Sequence, residues 1–147
     1  MFADAKTLLW DATALSTDAV SDNTYDLGAA GNDISVGDPL CAILTVDVAA
    51  KHTGTETYQF DVIQSAAADL GSADVLLSVP FTTVRAETFL AAGKTIVIPL
   101  PVGLITKRYL GLNFDGANTP TVTVTAFIAP MSSIQMDKYY ADNITIS

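Results

Sequence analysis

Thr121-Val122-Thr123-Val124-Thr125-Ala126-Phe127-Ile128 is the stretch that decides the fold class of this chain. Side chains alternate across a strand, so Val122, Val124, Ala126 and Ile128 share one face. The threonines and Phe127 take the other. β-Branched residues suit a pleated, half-buried surface. Pro130, which has no N–H to give a ladder, closes the run.

Working outward, short apolar stretches recur between turn residues. Tyr109-Leu110-Gly111-Leu112-Asn113-Phe114 is expected to be a strand that ends at the turn pair Asp115-Gly116. Thr95-Ile96-Val97-Ile98 lies between the turn Ala91-Ala92-Gly93-Lys94 and the prolines Pro99 and Pro101. Residues 75–79 form a strand stopped by Pro80, with Thr82-Thr83-Val84-Arg85 continuing it beyond a bend. Tyr58-Gln59-Phe60-Asp61-Val62 alternates cleanly, and residues 40–48 form a nearly continuous apolar run. His52-Thr53-Gly54-Thr55 between them reads as a hairpin connection. Residues 64–70, with Ala66-Ala67-Ala68, are either one or two helical turns or a loop. Strands at this spacing predict an all-β fold, a jelly-roll-type antiparallel β-sandwich. Residues 1–147 form a single domain, with 1–12 and 131–147 as terminal arms.

The composition asks where the apolar surface goes. The chain is 50% hydrophobic but only 16% charged, with a net charge of −9 and mean hydropathy of +0.38. Roughly a quarter charged is usual for a soluble domain. Membrane insertion is not expected, because no apolar run approaches about 20 residues. The surplus is therefore assigned to a filled β core and to surfaces that meet neighbours. A pI near 4.1 disfavours direct nucleic-acid binding, which uses clustered Lys and Arg; only Lys107 and Arg108 are adjacent. Met1-Phe2-Ala3-Asp4-Ala5-Lys6 does not read as a secretory signal, so synthesis in a cytoplasm is expected. The single cysteine, Cys41, lies within an apolar run and reads as a buried thiol.

Groups that carry chemistry are sparse. The one histidine, His52, falls in a polar turn and reads as a solvated side chain, leaving no base for a nucleophile. Gly-x-Ser-x-Gly, Walker A and dinucleotide fingerprints are missing, and one Cys with one His gives no zinc spacing. Asp22, Asn23, Asp26, Asn32, Asp33 and Asp38 offer oxygen ligands for calcium, but without EF-hand spacing they read as ordinary turn formers. Glu56 and Glu87 are the only glutamates, with Glu87 in an exposed turn. Asp47 and Asp61 read as the polar face of half-exposed strands. The expectation is a non-enzyme with no cofactor and no metal.

Met1-Phe2-Ala3-Asp4-Ala5, Leu40-Cys41-Ala42-Ile43-Leu44 and Met136-Asp137-Lys138-Tyr139-Tyr140 give the chain a further character. In these segments it resembles the capsid cement, or decoration, proteins of short-tailed double-stranded DNA phages, a family typified by a Bordetella phage. The likeness runs along the whole chain. It implies a jelly-roll virion protein that pairs as a homodimer, binds the major capsid protein across its junctions, and stabilises the capsid exterior after synthesis in the host bacterial cytoplasm. The family has no catalytic motif to carry over.

Candidate contact residues follow from interface chemistry, where aromatics and Met are enriched. They are Phe2, Leu8 and Trp10 near the start, and Met131, Ile134, Met136, Tyr139 and Tyr140 in the tail. Trp10 has two readings, a core residue or an arm residue that fills a partner's pocket. The competing function is a carbohydrate- or receptor-binding sandwich, with Trp10, Tyr58, Tyr109, Tyr139 and Tyr140 as possible stacking platforms.

Overall fold

The computed structural model describes residues 8–27, 40–100 and 102–130. They form β1 (Leu8–Leu15), β2 (Ala19–Val20), β3 (Tyr25–Asp26), β4 (Leu40–Val48), β5 (Thr57–Ser65), β6 (Asp74–Phe81), α1 (Thr83–Phe89), β7 (Thr95–Pro99), β8 (Tyr109–Ala117) and β9 (Val122–Pro130). One sheet has the order β1-β9-β4-β7. The other has the order β2-β8-β5-β6, with β3 also on β8. Every pairing is antiparallel. Counting β2 and β3 as one position gives two four-stranded layers between which the chain repeatedly crosses, which is the jelly-roll arrangement expected from the strand spacing.

The alternation in 121–128 holds. Val122, Val124, Ala126 and Ile128 are buried against the opposite sheet, while Thr123, Thr125 and Phe127 lie half-buried on the outer face. Strand β9 pairs with both β1 and β4, so its inward row lies in the middle of its layer. From the other layer, Phe60 is the hub of an aromatic cluster. Its ring centroid lies 5.5 Å from Phe114, 6.3 Å from Phe81 and 6.4 Å from Trp10. Such tilted and edge-on contacts each add about 0.5–1.5 kcal/mol beyond area burial.

Several expectations are corrected. β4 and β5 belong to different sheets, so residues 49–56 cross between layers and make no hairpin. Strand β6 runs through Pro80 to Phe81, with Pro80 opposite Gln59. As the outermost strand of its sheet, β6 can accommodate a residue without an N–H. The segment expected to continue it is a helix instead. Thr82 is extended (φ −78°, ψ 169°), and its side chain accepts from the Arg85 N–H at 3.4 Å, capping α1.

Asp115-Gly116 is no turn: β8 continues to Ala117, pairing Asp115 with Gln59 and Gly116 with Tyr58. The glycine serves packing, since a Cβ there would lie 2.6 Å from Pro120 and 2.7 Å from Phe114. The chain turns at Asn118 and Thr119, both at positive φ. Of the two readings of residues 64–70, the loop is the one the structure shows. Gln64 and Ser65 end β5, and Ser65 Oγ both donates to Gly71 O at 2.6 Å and accepts from Ala67 N at 3.0 Å. That closes a loop rather than a helical turn. Finally, residues 8–12 of the expected arm belong to β1, paired with β9.

Candidate interaction surfaces

Trp10 is fully buried, edge-on to Phe60, so of its two readings the core one describes its place. Leu8, opposite Phe127, is half-buried on the outer face of the β1-β9-β4-β7 sheet. There the register aligns Leu8, Phe127, Ile43 and Val97 in one apolar row across four strands. Ala129, Cys41 and Pro99 form the next row. Ile43, Cys41 and Ala129 are buried as a cluster separate from the main core, and the Cys41 thiol donates to Ala129 O at 3.4 Å. Phe2, Met131, Ile134, Met136, Tyr139 and Tyr140 lie outside the described residues.

The outer face of the second sheet is polar and tied to itself. Asp61 is buried rather than half-exposed, because its carboxylate accepts from Gln59 Nε2 at 2.9 Å and from Asn113 Nδ2 at 3.1 Å. Asp115 lies nearby with its pKa raised, first by burial and then by the charges of Asp18 and Asp61. Asp18 accepts from the Gly116 N–H at 3.0 Å. Asp47 stays exposed and accepts from the Thr125 hydroxyl at 2.6 Å.

Glu56 is the most strongly held acid. Its carboxylate accepts from Gly54 N at 2.9 Å, the Thr83 hydroxyl at 2.8 Å and the Thr53 hydroxyl at 3.4 Å, with Lys51 Nζ at 3.6 Å. Its pKa is lowered to about 2: its own backbone N–H is the largest cause, burial opposes, and Thr83, Gly54 and Lys51 assist. A carboxylate that stays ionised and whose lone pairs are occupied suits fastening better than proton transfer. Glu87 is exposed on α1. His52 is exposed, with Nδ1 3.2 Å from Ala50 O.

Of the oxygen-rich stretch, Asp22 accepts from Thr13 at 2.9 Å, and Asp26 is paired with Arg108 at 2.7 Å. Asn32, Asp33 and Asp38 lie outside the described residues. Among the described residues, no three His, Cys, Asp or Glu side chains are placed to hold a metal ion.

The site that sequence reasoning missed lies at the end of β6. Arg85, on the first turns of α1, stacks over Phe81 and Phe89, its guanidinium carbon 5.6 Å and 5.3 Å from their centroids. A pocket of about 240 Å³ opens beside it, lined by Thr57, Gln59, Pro80, Thr82 and Asp115 among others. Phe89 is 47% exposed and Val84 is 74% exposed. The signal in the sequence was the i, i+4 spacing of Arg85 and Phe89, hidden because a strand was expected there.

The comparisons with known proteins follow the same lines. No curated protein matches the chain. A family model does, over residues 9–131, which takes in every strand of the sandwich save Leu8, the first residue of β1. A match of that extent, on a jelly-roll frame that accounts for every one of those strands, places the chain in the Bbp16 family of Bordetella phage proteins.

Proposed function

We propose that this chain is a capsid cement protein, binding the outside of an icosahedral shell across junctions between major capsid protein subunits. The observation that carries this reading is the phage family match over a jelly-roll sandwich. The chemistry of the surface supports it. Asp26, Glu56, Asp61 and Asp74 are each bound within the fold, while Val75, Val84, Phe89 and Leu104 are displayed outward. Cementing works by repeated burial of such surface, with symmetry converting modest contacts into avidity. A specific contact needs about 1,200–2,000 Å² in total, and pairing as a homodimer would double the contacts that each bound unit makes. The acidic charge suits a position outside the shell, away from packaged DNA. No catalytic or cofactor role enters this reading.

The sugar-binding alternative draws less support from the described aromatic residues. Trp10 and Tyr58 are buried, and Arg108 lies over the Tyr109 ring at 5.1 Å. Sedimentation velocity of the full chain, alone and with shells that lack it, tests the proposal. Saturable co-sedimentation is the expected result. A species that ignores shells and binds on a glycan array would overturn it.

A further inference from the structure

Among the described residues, strand β6 is the outermost strand of its sheet and pairs only with β5. An open edge offers unpaired backbone groups to another chain. Here the edge is interrupted at both ends. Leu76 is skipped in the register between Val62 and Ile63, and Pro80 sits at the far end. What remains is a short window at Leu77, Ser78 and Val79, of which Ser78 is exposed and its neighbours are half-buried. Such a window admits a short strand in a restricted register and discourages long edge-to-edge pairing.

Arg85 stands next to that window, because its guanidinium rests on Phe81, the last residue of β6. Lys51, Lys107 and Arg108 each face a carboxylate, whereas Arg85, like Lys94, has no ion-pair partner among the described residues. That is notable in a chain with 16 acids and 7 bases. Stacking on two rings holds the guanidinium in place, so little freedom is lost when it takes a ligand. Arg and Phe are also the residue types that anchor interfaces.

We propose that this edge receives an extended acidic segment of another protein. Its backbone lies along Leu77–Val79, and an Asp or Glu carboxylate engages Arg85. The proposal rests on the cement reading for the source of that segment, a shell subunit. A second copy of this chain fits less well. Two-fold pairing through β6 would bring Asp74 towards Arg85, but Asp74 is already held by Lys107 at 2.7 Å, and each copy carries a charge of −9. Asp115 in the pocket lining disfavours a multiply charged anion such as phosphate.

The test uses the full chain, shells lacking it, and the variants Arg85→Glu, Arg85→Ala and Ser78→Lys. Both positions are exposed, so thermal midpoints close to that of the unmodified chain are required of each variant. Arg85→Glu is expected to weaken shell binding at least about ten-fold, whereas Ser78→Lys, which adds a cation beside the acidic segment, is expected to strengthen it; a loss of binding in Ser78→Lys would overturn the acidic assignment. Raising the salt should weaken the unmodified chain and move Arg85→Ala much less. If the unmodified chain binds saturably and both variants match it, the edge assignment is wrong while the cement reading stands. If the unmodified chain ignores shells, both fall. If Ser78→Lys abolishes self-association and leaves shell binding intact, the occupant is a second copy and the proposed partner is wrong.

Discussion

Glu56 and Thr83, 27 residues apart, meet through a hydrogen bond of 2.8 Å that joins the β4–β5 crossover to the first turn of α1. The same carboxylate closes its own turn through Gly54. One side chain therefore fixes two connections at the same end of the sandwich, near the Arg85 pocket. Ala50 N and Leu90 O, bonded at 2.9 Å, tie the far end of the helix to the same crossover.

Replacing Glu56 with Ala should lower the thermal midpoint at pH 7 by roughly 5–10 °C, because the Gly54 N–H and the Thr53 and Thr83 hydroxyls lose their shared acceptor. Thr83→Val should cause a smaller drop. The pH dependence has a definite sign. The folded pKa of about 2 lies below the ordinary 4.5, so the native state holds its proton less tightly than the unfolded chain does. The stabilisation is fully present above about pH 4.5 and is lost as pH falls through 2. Denaturation midpoints measured from pH 7 down to pH 2 should show the difference between the unmodified chain and Glu56→Gln shrinking over that window. A constant difference would mean that the carboxylate charge is not what holds the turn.

Asp115 should show the opposite sign. Its folded pKa is raised by burial and by Asp18 and Asp61, so ionising it opposes folding. Its contribution is most favourable at low pH and declines as pH rises from the ordinary carboxylate value through the raised one. Asp115→Asn should therefore raise the midpoint at pH 7 by about 1–2 °C, after allowing for solvent screening. The gain should vanish once the carboxylates are protonated. Scanning calorimetry at pH 7 and pH 3 checks both halves.

Gly116 is a packing requirement near the end of β8. Gly116→Ala would place a methyl group against Phe114 and Pro120, and overpacking of this kind costs about 1–3 kcal/mol. Urea denaturation should show the loss without a change in slope. An unchanged midpoint would show that the Pro120 loop yields freely.

The strands that the sequence made legible are those whose alternation is unbroken, such as 122–128, 58–62 and 95–98. What escaped was set by partners far away in the chain. β1 reads poorly because its register shifts twice, between Leu8 and Trp10 and between Trp10 and Thr13, with Ala12 at positive φ. Those irregularities break the period of two on which strand reading depends. Asp115-Gly116 looked like a turn because the dipeptide is a good turn former. Only the contact with Phe114 and Pro120 reveals why glycine stands there. Pro80 looked like a stop because its edge position cannot be read from sequence. The Arg85 site was lost with the helix that carries it, since the signal of Thr82 as an N-cap is weak beside the apolar run before it.

Trp10 offers a way to separate folding from docking. Its indole is fully buried, and its Nε1 has no hydrogen-bond partner among the described residues. An unpaired buried N–H is worth about 1–3 kcal/mol against the fold. Trp10→Phe removes that group, keeps an aromatic ring beside Phe60 and leaves a modest void. The two effects oppose each other, so the net loss should stay below about 1.5 kcal/mol. Trp10→Ala removes the whole ring and should lose about 3–5 kcal/mol. Equal damage from the two variants would mean that the indole makes a polar contact that the phenyl cannot. Because Trp10 presents no surface, its variants should reduce shell binding only as far as they reduce the folded fraction. Arg85→Glu should do the reverse, lowering binding while the thermal midpoint holds. Measuring both quantities on both variants distinguishes a residue that builds the sandwich from one that meets the shell.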